Sequence, residues 1–181
     1  MIFKETKLKG AVIIELEKFE DERGFFALSW SRDEFARRGL ESQFAECNVS
    51  FNHKQGTLRG MHYQAPPHGQ VKMVRCTSGS IYDVIIDLRT ESPTFKQWIG
   101  VELDAGNRLT LYVPKGFAHG FQTLENETEV FYQMSSPYVP ESGRGVRWSD
   151  PAFGIDWPII EGIINERDRA YPDFTWPRSE L

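Results

Sequence analysis

The sequence predicts an all-β domain, and three features of the chain support that fold class. The middle of the 181 residues is a succession of short segments rich in β-branched and aromatic residues, each separated from the next by Gly, Asn, Asp or Pro. Aromatic residues make up 13% of the chain, and such side chains pack well on pleated sheets. A clear helical pattern occurs in one short segment. Regular short strands joined by tight turns favour a sandwich or a closed barrel over βαβ units.

A single amphipathic helix is expected before the strand-rich region. It occupies residues 31–39, because Ser31 can cap the first turn and Gly39 can end the helix. The strands that follow are predicted at residues 71–77, 80–88, 98–103, 108–113 and 129–135.

Two turns and an irregular C-terminal region complete the expected layout. Ser78-Gly79 and residues 104–107 are predicted to be hairpin turns. After Pro137 the chain is rich in Pro, Gly and Trp, which predicts irregular segments and a short helix. No linker or repeat divides the chain, so residues 1–181 are expected to form one domain.

Composition restricts the classes of function. No apolar run approaches the roughly 20 residues that a membrane-spanning helix needs, and residues 1–11 lack a signal-peptide pattern. We therefore expect a cytoplasmic protein without membrane association. The net charge of −5 argues against a general nucleic-acid binder. Cys47 and Cys76 are too few for a disulfide scaffold and are expected to be small buried apolar side chains.

The first segment that suggests chemistry is residues 56–64, which read GTLRGMHYQ. Strand alternation would place Gly60, His62 and Gln64 on one face, and Arg59 and Met61 on the other. The glycines allow another backbone or a ligand to approach closely.

A second histidine motif lies at residues 112–121. Its Pro-x-Gly-x-x-His spacing ends at His119 and is the one with which cupin barrels bring a histidine into the lumen. Metal-binding cupins also use His-x-His and a nearby glutamate, but Gln64 replaces the second histidine and no carboxylate follows before Lys72. A lysine close to His62 also opposes a divalent cation. We therefore expect a cupin-type jelly-roll β-barrel with a few short helices and without a bound metal.

Each of these side chains also has a purely structural interpretation. A lone histidine on a strand is more often structural than catalytic, and Tyr132 can be a core aromatic residue with a hydrogen-bonded hydroxyl. Lys72, however, lies in an otherwise apolar strand, where it is costly to bury unless it meets an anion or an oxygen-rich ligand. Two histidines in paired barrel motifs, with Lys72 and Tyr132 on neighbouring strands, favour a catalytic pocket.

Over nearly its whole length the sequence resembles the dTDP-4-dehydrorhamnose 3,5-epimerase family. The matching segments follow one another in the family's order, at residues 21–26, 48–50, 56–64, 83–89, 92–95, 114–121, 150–151, 154–158 and 165–168. The resemblance implies a cofactor-independent isomerase of deoxysugar and polysaccharide-precursor synthesis. It would invert carbons 3 and 5 of dTDP-4-dehydro-6-deoxyglucose through an enolate. The resemblance also implies a homodimer that exchanges an N-terminal strand.

The same resemblance implies roles for individual residues. His62 is the general base with Asp168 as its partner, and Asp83 is a second candidate for that supporting role. Tyr132 is the acid that protonates the opposite face of the sugar, and Lys72 faces the keto oxygen where enolate charge develops. Arginines contact the diphosphate and aromatic rings stack on the base. The implied substrate-binding residues are Arg23, Phe26, Asn48, Arg59, Gln64, His119 and Tyr138.

Three positions depart from the family pattern, all on the nucleotide side of the pocket. Leu28 and Gly143 stand where the family has Glu, and Glu46 stands where it has Gln. The nucleotide therefore remains open between dTDP and another, such as CDP or GDP.

Three functions other than double epimerisation also remain open. They are a single-centre epimerase, a non-catalytic cupin that binds nucleotide sugars, and a metal-dependent cupin oxygenase or isomerase. Gln64 and the missing carboxylate count against the last of these, because a complete metal site needs more ligands.

Overall fold

In the computed structural model, residues 1–160 and 162–175 are described. These residues form fourteen strands, two short α-helices and a 3-10 turn at Pro140–Ser142. The strands are β1 (Ile2–Glu5), β2 (Val12–Glu15), β3 (Lys18–Asp21), β4 (Gly24–Ala27), β5 (Glu46–Asn52), β6 (Thr57–Gln64), β7 (Lys72–Ser78), β8 (Ser80–Asp87), β9 (Trp98–Asp104), β10 (Thr110–Val113), β11 (Phe117–Thr123), β12 (Thr128–Met134), β13 (Gly143–Gly145) and β14 (Ile163–Ile164). The helices are α1 (Arg32–Arg37) and α2 (Glu166–Arg169).

Two sheets enclose the core, and the predicted all-β class is confirmed. The first sheet has the order β1-β2-β10-β7-β12-β5, and the second has the order β13-β6-β11-β8-β9, with β14 parallel to β6. The hairpin β3–β4 forms a sheet of its own. Apolar side chains such as Val74, Leu111, Ile85 and Phe121 pack between the two large sheets. Their burial removes apolar surface from water and so stabilises the barrel.

Other segments cover the outer faces of both sheets. Phe35 of α1 is fully buried against Val12 and Met73 of the first sheet. The C-terminal region adds Phe153 and Phe174 to the apolar cluster outside the second sheet. No helix in residues 1–160 and 162–175 is long and apolar enough to cross a membrane.

The five predicted strands correspond to β7, β8, β9, β10 and β12, each within two residues of the expected bounds. The predicted helix is α1, and the Ser31 side chain accepts a hydrogen bond from the Glu34 backbone N–H at 3.4 Å, as a cap should. Cys76 is buried as expected, whereas Cys47 is exposed because it lies on the edge strand β5.

Neither predicted hairpin turn joins paired strands. β7 and β8 flank Ser78-Gly79 but lie in different sheets, and β9 and β10 do the same on either side of residues 104–107. Both turns are therefore crossovers between the sheets. A turn signal marks a reversal of the chain, but it does not show whether the next strand pairs with the last one or crosses to the facing sheet.

An irregularity in β6 changes which of its residues share a face. His62 pairs with His119 but Arg59 pairs with Phe121, so a step of three residues on β6 matches a step of two on β11. A β-bulge of this kind shifts the alternation of side chains. Arg59 consequently lines the same cavity as His62, and the prediction that they lie on opposite faces is wrong.

Candidate active site

Two cavities meet at His62, Lys72 and Met134, which line both of them. We term the first, of about 320 Å³, the histidine cavity; its other lining residues are Asn48, Val49, Ser50, Arg59, His119, Phe121, Tyr132, Asn165 and Asp168. The second, of about 390 Å³, is the arginine cavity; its other lining residues are Tyr63, Gln64, Gln70, Tyr138, Gly143, Arg144 and Arg167.

Asp168 fixes the imidazole of His62. Asp168 Oδ1 lies 2.6 Å from His62 Nε2, and Asp168 Oδ2 accepts a hydrogen bond from the Gly60 backbone N–H at 3.1 Å. Burial opposes ionisation of Asp168, but the hydrogen bonds from His62 and Gly60 bring its pKa below the ordinary value. Asp168 is therefore an anion, so His62 Nε2 carries the proton that it donates. In a neutral imidazole held in this way, the lone pair that can accept a proton is on Nδ1.

Local structure explains how Asp168 reaches this position. β14 runs beside β6, and Asn165 follows it directly. The Asn165 side-chain oxygen accepts a hydrogen bond from the Asp168 backbone N–H at 2.7 Å, which caps α2. Since the cap and the strand pairing both hold this segment, Asp168 is presented to His62 while only 1% exposed.

A second histidine–carboxylate pair lies on the same sheet. His119 Nε2 is 2.7 Å from Asp83 Oδ1, and both residues are buried. Burial lowers the pKa of His119, although Asp83 opposes the shift. The neutral ring therefore donates a hydrogen bond from its Nε2–H group to Asp83. Asp83 was the second candidate partner for His62, but in the structure it pairs with His119.

Tyr132 and Lys72 face these histidines from the opposite sheet. They lie on β12 and β7 of the first sheet, whereas His62 and His119 lie on β6 and β11 of the second. The ring centroids of Tyr132 and His119 are 6.1 Å apart. Burial, followed by the charge of Asp83, raises the pKa of Tyr132, so the phenol retains its proton at neutral pH.

Lys72 is held between the two sheets. Its Nζ donates a hydrogen bond to the His62 backbone carbonyl at 3.3 Å. Burial lowers the pKa of Lys72 to about 8, although the negative charge of Asp83 opposes this shift. The side chain is thus an ammonium group at neutral pH, close to its deprotonation range.

This arrangement suits the transfer of a proton from one face of a molecule to the other. A base with a lone pair on one wall can remove a proton, and a protonated phenol on the other wall can return one. An ammonium group between them can stabilise negative charge that develops on the molecule. The described residues contain no group of three His, Cys, Asp or Glu side chains placed to hold a metal ion.

Three of the predicted binding residues line these cavities, and hydrogen bonds hold two of them in place. Asn48 and Arg59 face the histidine cavity, and Arg59 Nε donates to the side-chain oxygen of the buried Asn52 at 2.7 Å, which orients the guanidinium. Gln64 faces the arginine cavity, but its amide is engaged with the backbone. It donates to carbonyl oxygens at 2.8 and 3.2 Å and accepts from the Val139 N–H at 2.6 Å, so it holds the adjacent loops.

Tyr138 and Gly143 are neighbours in the arginine cavity. A Cβ atom on Gly143 would lie 2.8 Å from the Tyr138 hydroxyl, so the tyrosine uses the space that a side chain at position 143 would need. Of the other departures from the family pattern, Leu28 is exposed and Glu46 pairs with Met134 across β5 and β12.

Arg23 and Phe26 lie outside both cavities, on the hairpin β3–β4. The Arg23 side chain is 84% exposed and pairs with Asp21, and Phe26 is 74% exposed. Within one chain the structure does not bring these two residues to His62.

Sequence reasoning missed several residues at the site, and two of them are close to Asp168 in the sequence. Arg167 lines the arginine cavity, and the ring of Tyr171 contacts that of His62. Both lie within three residues of Asp168, so the segment after Asn165 was a signal that could have found them.

Comparison with known proteins identifies the family. A sequence profile described as dTDP-4-dehydrorhamnose 3,5-epimerase matches residues 5–175. A protein of that name from Methanothermobacter thermautotrophicus is 44% identical over 173 residues, covering 93% of this chain and 92% of its own.

Solved structures agree with the profile. The crystal structure of dTDP-4-dehydrorhamnose 3,5-epimerase from Elizabethkingia anophelis superposes with a TM-score of 0.94 at 41% identity, covering 96% of each chain. The enzyme of that name from Bacillus anthracis, with TDP and PPi bound, gives a TM-score of 0.92 at 42% identity, covering 96% of this chain and 99% of its own. The predicted cupin-type barrel is thereby confirmed. This chain belongs to the dTDP-4-dehydrorhamnose 3,5-epimerase family.

Proposed function

We propose that this protein inverts carbons 3 and 5 of dTDP-4-dehydro-6-deoxyglucose to give dTDP-4-dehydrorhamnose, without a cofactor. One observation carries the proposal: His62 and Tyr132 face one cavity from opposite sheets. Inversion at carbon requires a proton to leave from one face and another to arrive on the opposite face. The Nδ1 lone pair of His62 and the retained phenol proton of Tyr132 meet those two needs.

The first step is removal of a proton next to the 4-keto group. Such a proton is only weakly acidic, so the site must take it and also stabilise the enolate that remains. His62 Nδ1 accepts the proton, and the anionic Asp168 stabilises the imidazolium through Nε2. The electron pair of the C–H bond moves onto the keto oxygen, where the buried ammonium of Lys72 offsets the charge.

The second step returns a proton from the other wall. Tyr132 donates its phenol proton to the carbon, and the electron pair of the enolate forms the new C–H bond. His62, whose side chain is 40% exposed, then gives its proton to solvent. Tyr132 must regain a proton before the second carbon reacts, so the two inversions take place one after the other.

The cavities also offer groups for the nucleotide end of the substrate. Arg59 presents a guanidinium fork, which suits phosphate oxygens. Tyr138 is half-exposed at the arginine cavity and offers a ring for stacking on the base. Arg59 and Tyr138 therefore support binding of the diphosphate and the base.

A homodimer with an exchanged hairpin would complete this site, and the exposed apolar surface supports it. Phe19 and Phe26 of the hairpin β3–β4 are 67% and 74% exposed, and Val49 on the edge strand β5 is 61% exposed. Phe19 and Phe26 pair across the hairpin, and exposed apolar rings side by side mark an interaction surface. Insertion of the hairpin into a second copy would cover its rings and bring Arg23 and Phe26 to the partner's cavities.

The test is proton NMR of the chelator-treated enzyme in deuterated water with dTDP-4-dehydro-6-deoxyglucose, with His62→Asn as the control. Deuterium at carbons 3 and 5 together with the rhamno product is expected. Exchange at carbon 3 alone would make the protein a single-centre epimerase. Activity lost with the chelator would instead indicate a metal cupin.

If no deuterium enters this substrate, the next experiments use other nucleotide sugars and dTDP itself. Exchange restricted to CDP- or GDP-linked sugars would overturn the nucleotide assignment. Tight binding of dTDP without exchange of any sugar would indicate a binding protein.

A further inference from the structure

The ring of Tyr171 lies against the imidazole of His62. The two ring centroids are 6.2 Å apart and the planes meet at 69°, an edge-to-face arrangement that aromatic rings favour. Tyr171 follows α2, the same short segment that delivers Asp168. The imidazole therefore has two neighbours from one stretch of chain, a carboxylate at Nε2 and a ring at its side.

Gly145 makes this contact possible. It pairs directly with His62 where β13 meets β6. A Cβ atom on Gly145 would overlap two ring carbons of Tyr171, so the tyrosine ring rests on the bare α-carbon of the residue beside His62. Any side chain at position 145 would displace the ring from the imidazole.

The buried hydroxyl of Tyr171 interacts with the guanidinium of Arg167. Burial raises the pKa of Tyr171, with Arg167 opposing the shift, so the side chain is a neutral phenol at neutral pH. The ring, rather than the hydroxyl, is the part of Tyr171 that meets His62.

One hydrogen bond is not enough to orient a histidine ring. Rotation about the Cβ–Cγ bond of histidine has broad minima, so the imidazole can rock while Nε2 stays within reach of Asp168. Each change of tilt moves the Nδ1 lone pair relative to the carbon that it must approach. Displacements of about 1 Å at a reacting atom can lower a rate by about a hundredfold.

We propose that Tyr171 is a positioning residue, whose ring sets the tilt of His62 so that Nδ1 points into the histidine cavity while Nε2 stays on Asp168. The inference rests on the proposed function, in which His62 is the base. Gly145 acts with Tyr171 by leaving room for the ring. Neither residue touches the substrate in this account, so both should affect the chemical step more than binding.

The test measures Tyr171→Ala and Tyr171→Phe. The controls are substitutions of a similar tyrosine–glycine contact elsewhere in the barrel. Tyr82 also rests its ring on a glycine, Gly100, but lies outside both cavities. We expect Tyr171→Ala to lower kcat by about tenfold to a hundredfold with KM changed by less than about threefold. Tyr171→Phe should restore kcat to within about twofold of the parent, because the ring is retained.

Two comparisons separate positioning from a general loss of stability. Tyr82→Ala should lower Tm at least as much as Tyr171→Ala and yet leave kcat unchanged. Gly145→Ala should reproduce the kcat loss of Tyr171→Ala, whereas Gly100→Ala should not. Unchanged kcat in Tyr171→Ala, or a Tyr171→Phe variant as slow as Tyr171→Ala, would overturn the inference.

A readout without turnover distinguishes this inference from the proposed function. In ¹⁵N NMR of the ring nitrogens, His62 should show one Nε2-protonated form in the parent and in Tyr171→Phe, and exchange-broadened signals in Tyr171→Ala. If the parent exchanges no substrate protons but shows this pattern, the proposed function fails and the positioning survives. Identical sharp signals in all three proteins would contradict the positioning role of Tyr171 and leave the proposed function untouched.

Discussion

At the scale of single residues, the buried ammonium of Lys72 links the chemistry to pH. Burial lowers the pKa of Lys72 to about 8, so the group is protonated below that pH and neutral above it. Only the protonated form can offset enolate charge. We therefore expect kcat/KM, which reports the free enzyme, to fall as pH rises through about 8.

The substitution Lys72→Arg tests the origin of this alkaline limb. Arginine stays protonated in this range, so the variant, although slower, should lose the limb below about pH 10. Lys115→Arg is the matched control, because Lys115 is an exposed lysine on the same molecule, and it should keep the parent profile. A profile that is unchanged in Lys72→Arg would assign the limb to another group.

The candidate residues differ in how far the sequence could predict them. His62, Lys72, Tyr132 and Asp168 were expected from motifs and resemblance, and the structure brings all four to the histidine cavity. The partner of Asp83 could not be predicted, since it depends on β8 pairing with β11 far along the chain.

At the scale of elements, the bulge in β6 brings Arg59 and His62 to one cavity, and it depends on close approach between strands. Gly60 has a φ of +134°, and a Cβ atom there would lie 2.5 Å from the Gly120 α-carbon and 3.0 Å from the His119 carbonyl oxygen. We expect Gly60→Ala to lower the free energy of unfolding by about 3 kcal/mol or more, measured by urea denaturation.

Gly39→Ala is the control for this prediction. Gly39 also has a positive φ, +69°, but nothing lies within 4 Å of its added Cβ, so only the backbone term remains. The substitution Gly39→Ala should therefore lower the free energy of unfolding by only about 1 kcal/mol. Equal losses at the two glycines would show that the strands are not closely packed at Gly60.

The hairpin β3–β4 gives a second prediction at this scale. If hairpins are exchanged, mixing inactive Arg23→Ala and His62→Asn subunits creates one intact site in each mixed dimer. Random pairing should then restore about one quarter of the parent activity. A double variant carrying both changes, mixed with Arg23→Ala, should restore none. Failure of the first mixture to recover, with dimers shown by light scattering, would refute the exchange.

Local sequence patterns predicted elements better than their connections. Apolar periodicity and turn residues located β7 to β10 and β12, because those signals act over a few residues. The crossovers after β7 and β9, and the bulge in β6, depend on pairing with distant strands. No local pattern distinguishes those outcomes.

At the scale of the whole molecule, the two-sheet architecture sets the stereochemistry. The second sheet carries His62 and the first carries Tyr132, with the cavity between them, so a bound ring has its base and its acid on different sides. The fold class and the resemblance were predictable from the sequence. The assignment of each side chain to one wall needed the strand order, which is a property of the complete barrel.

The most direct test of this account is single-turnover NMR of Tyr132→Phe in deuterated water, with exchange and inversion followed at the same carbon. The parent should invert the carbon each time it exchanges the proton. Without the phenol, His62 can still remove a proton and return deuterium to the same face, so exchange should continue while inversion falls at least about tenfold below it. Loss of exchange and inversion in equal proportion would contradict the assignment of the two roles to opposite walls.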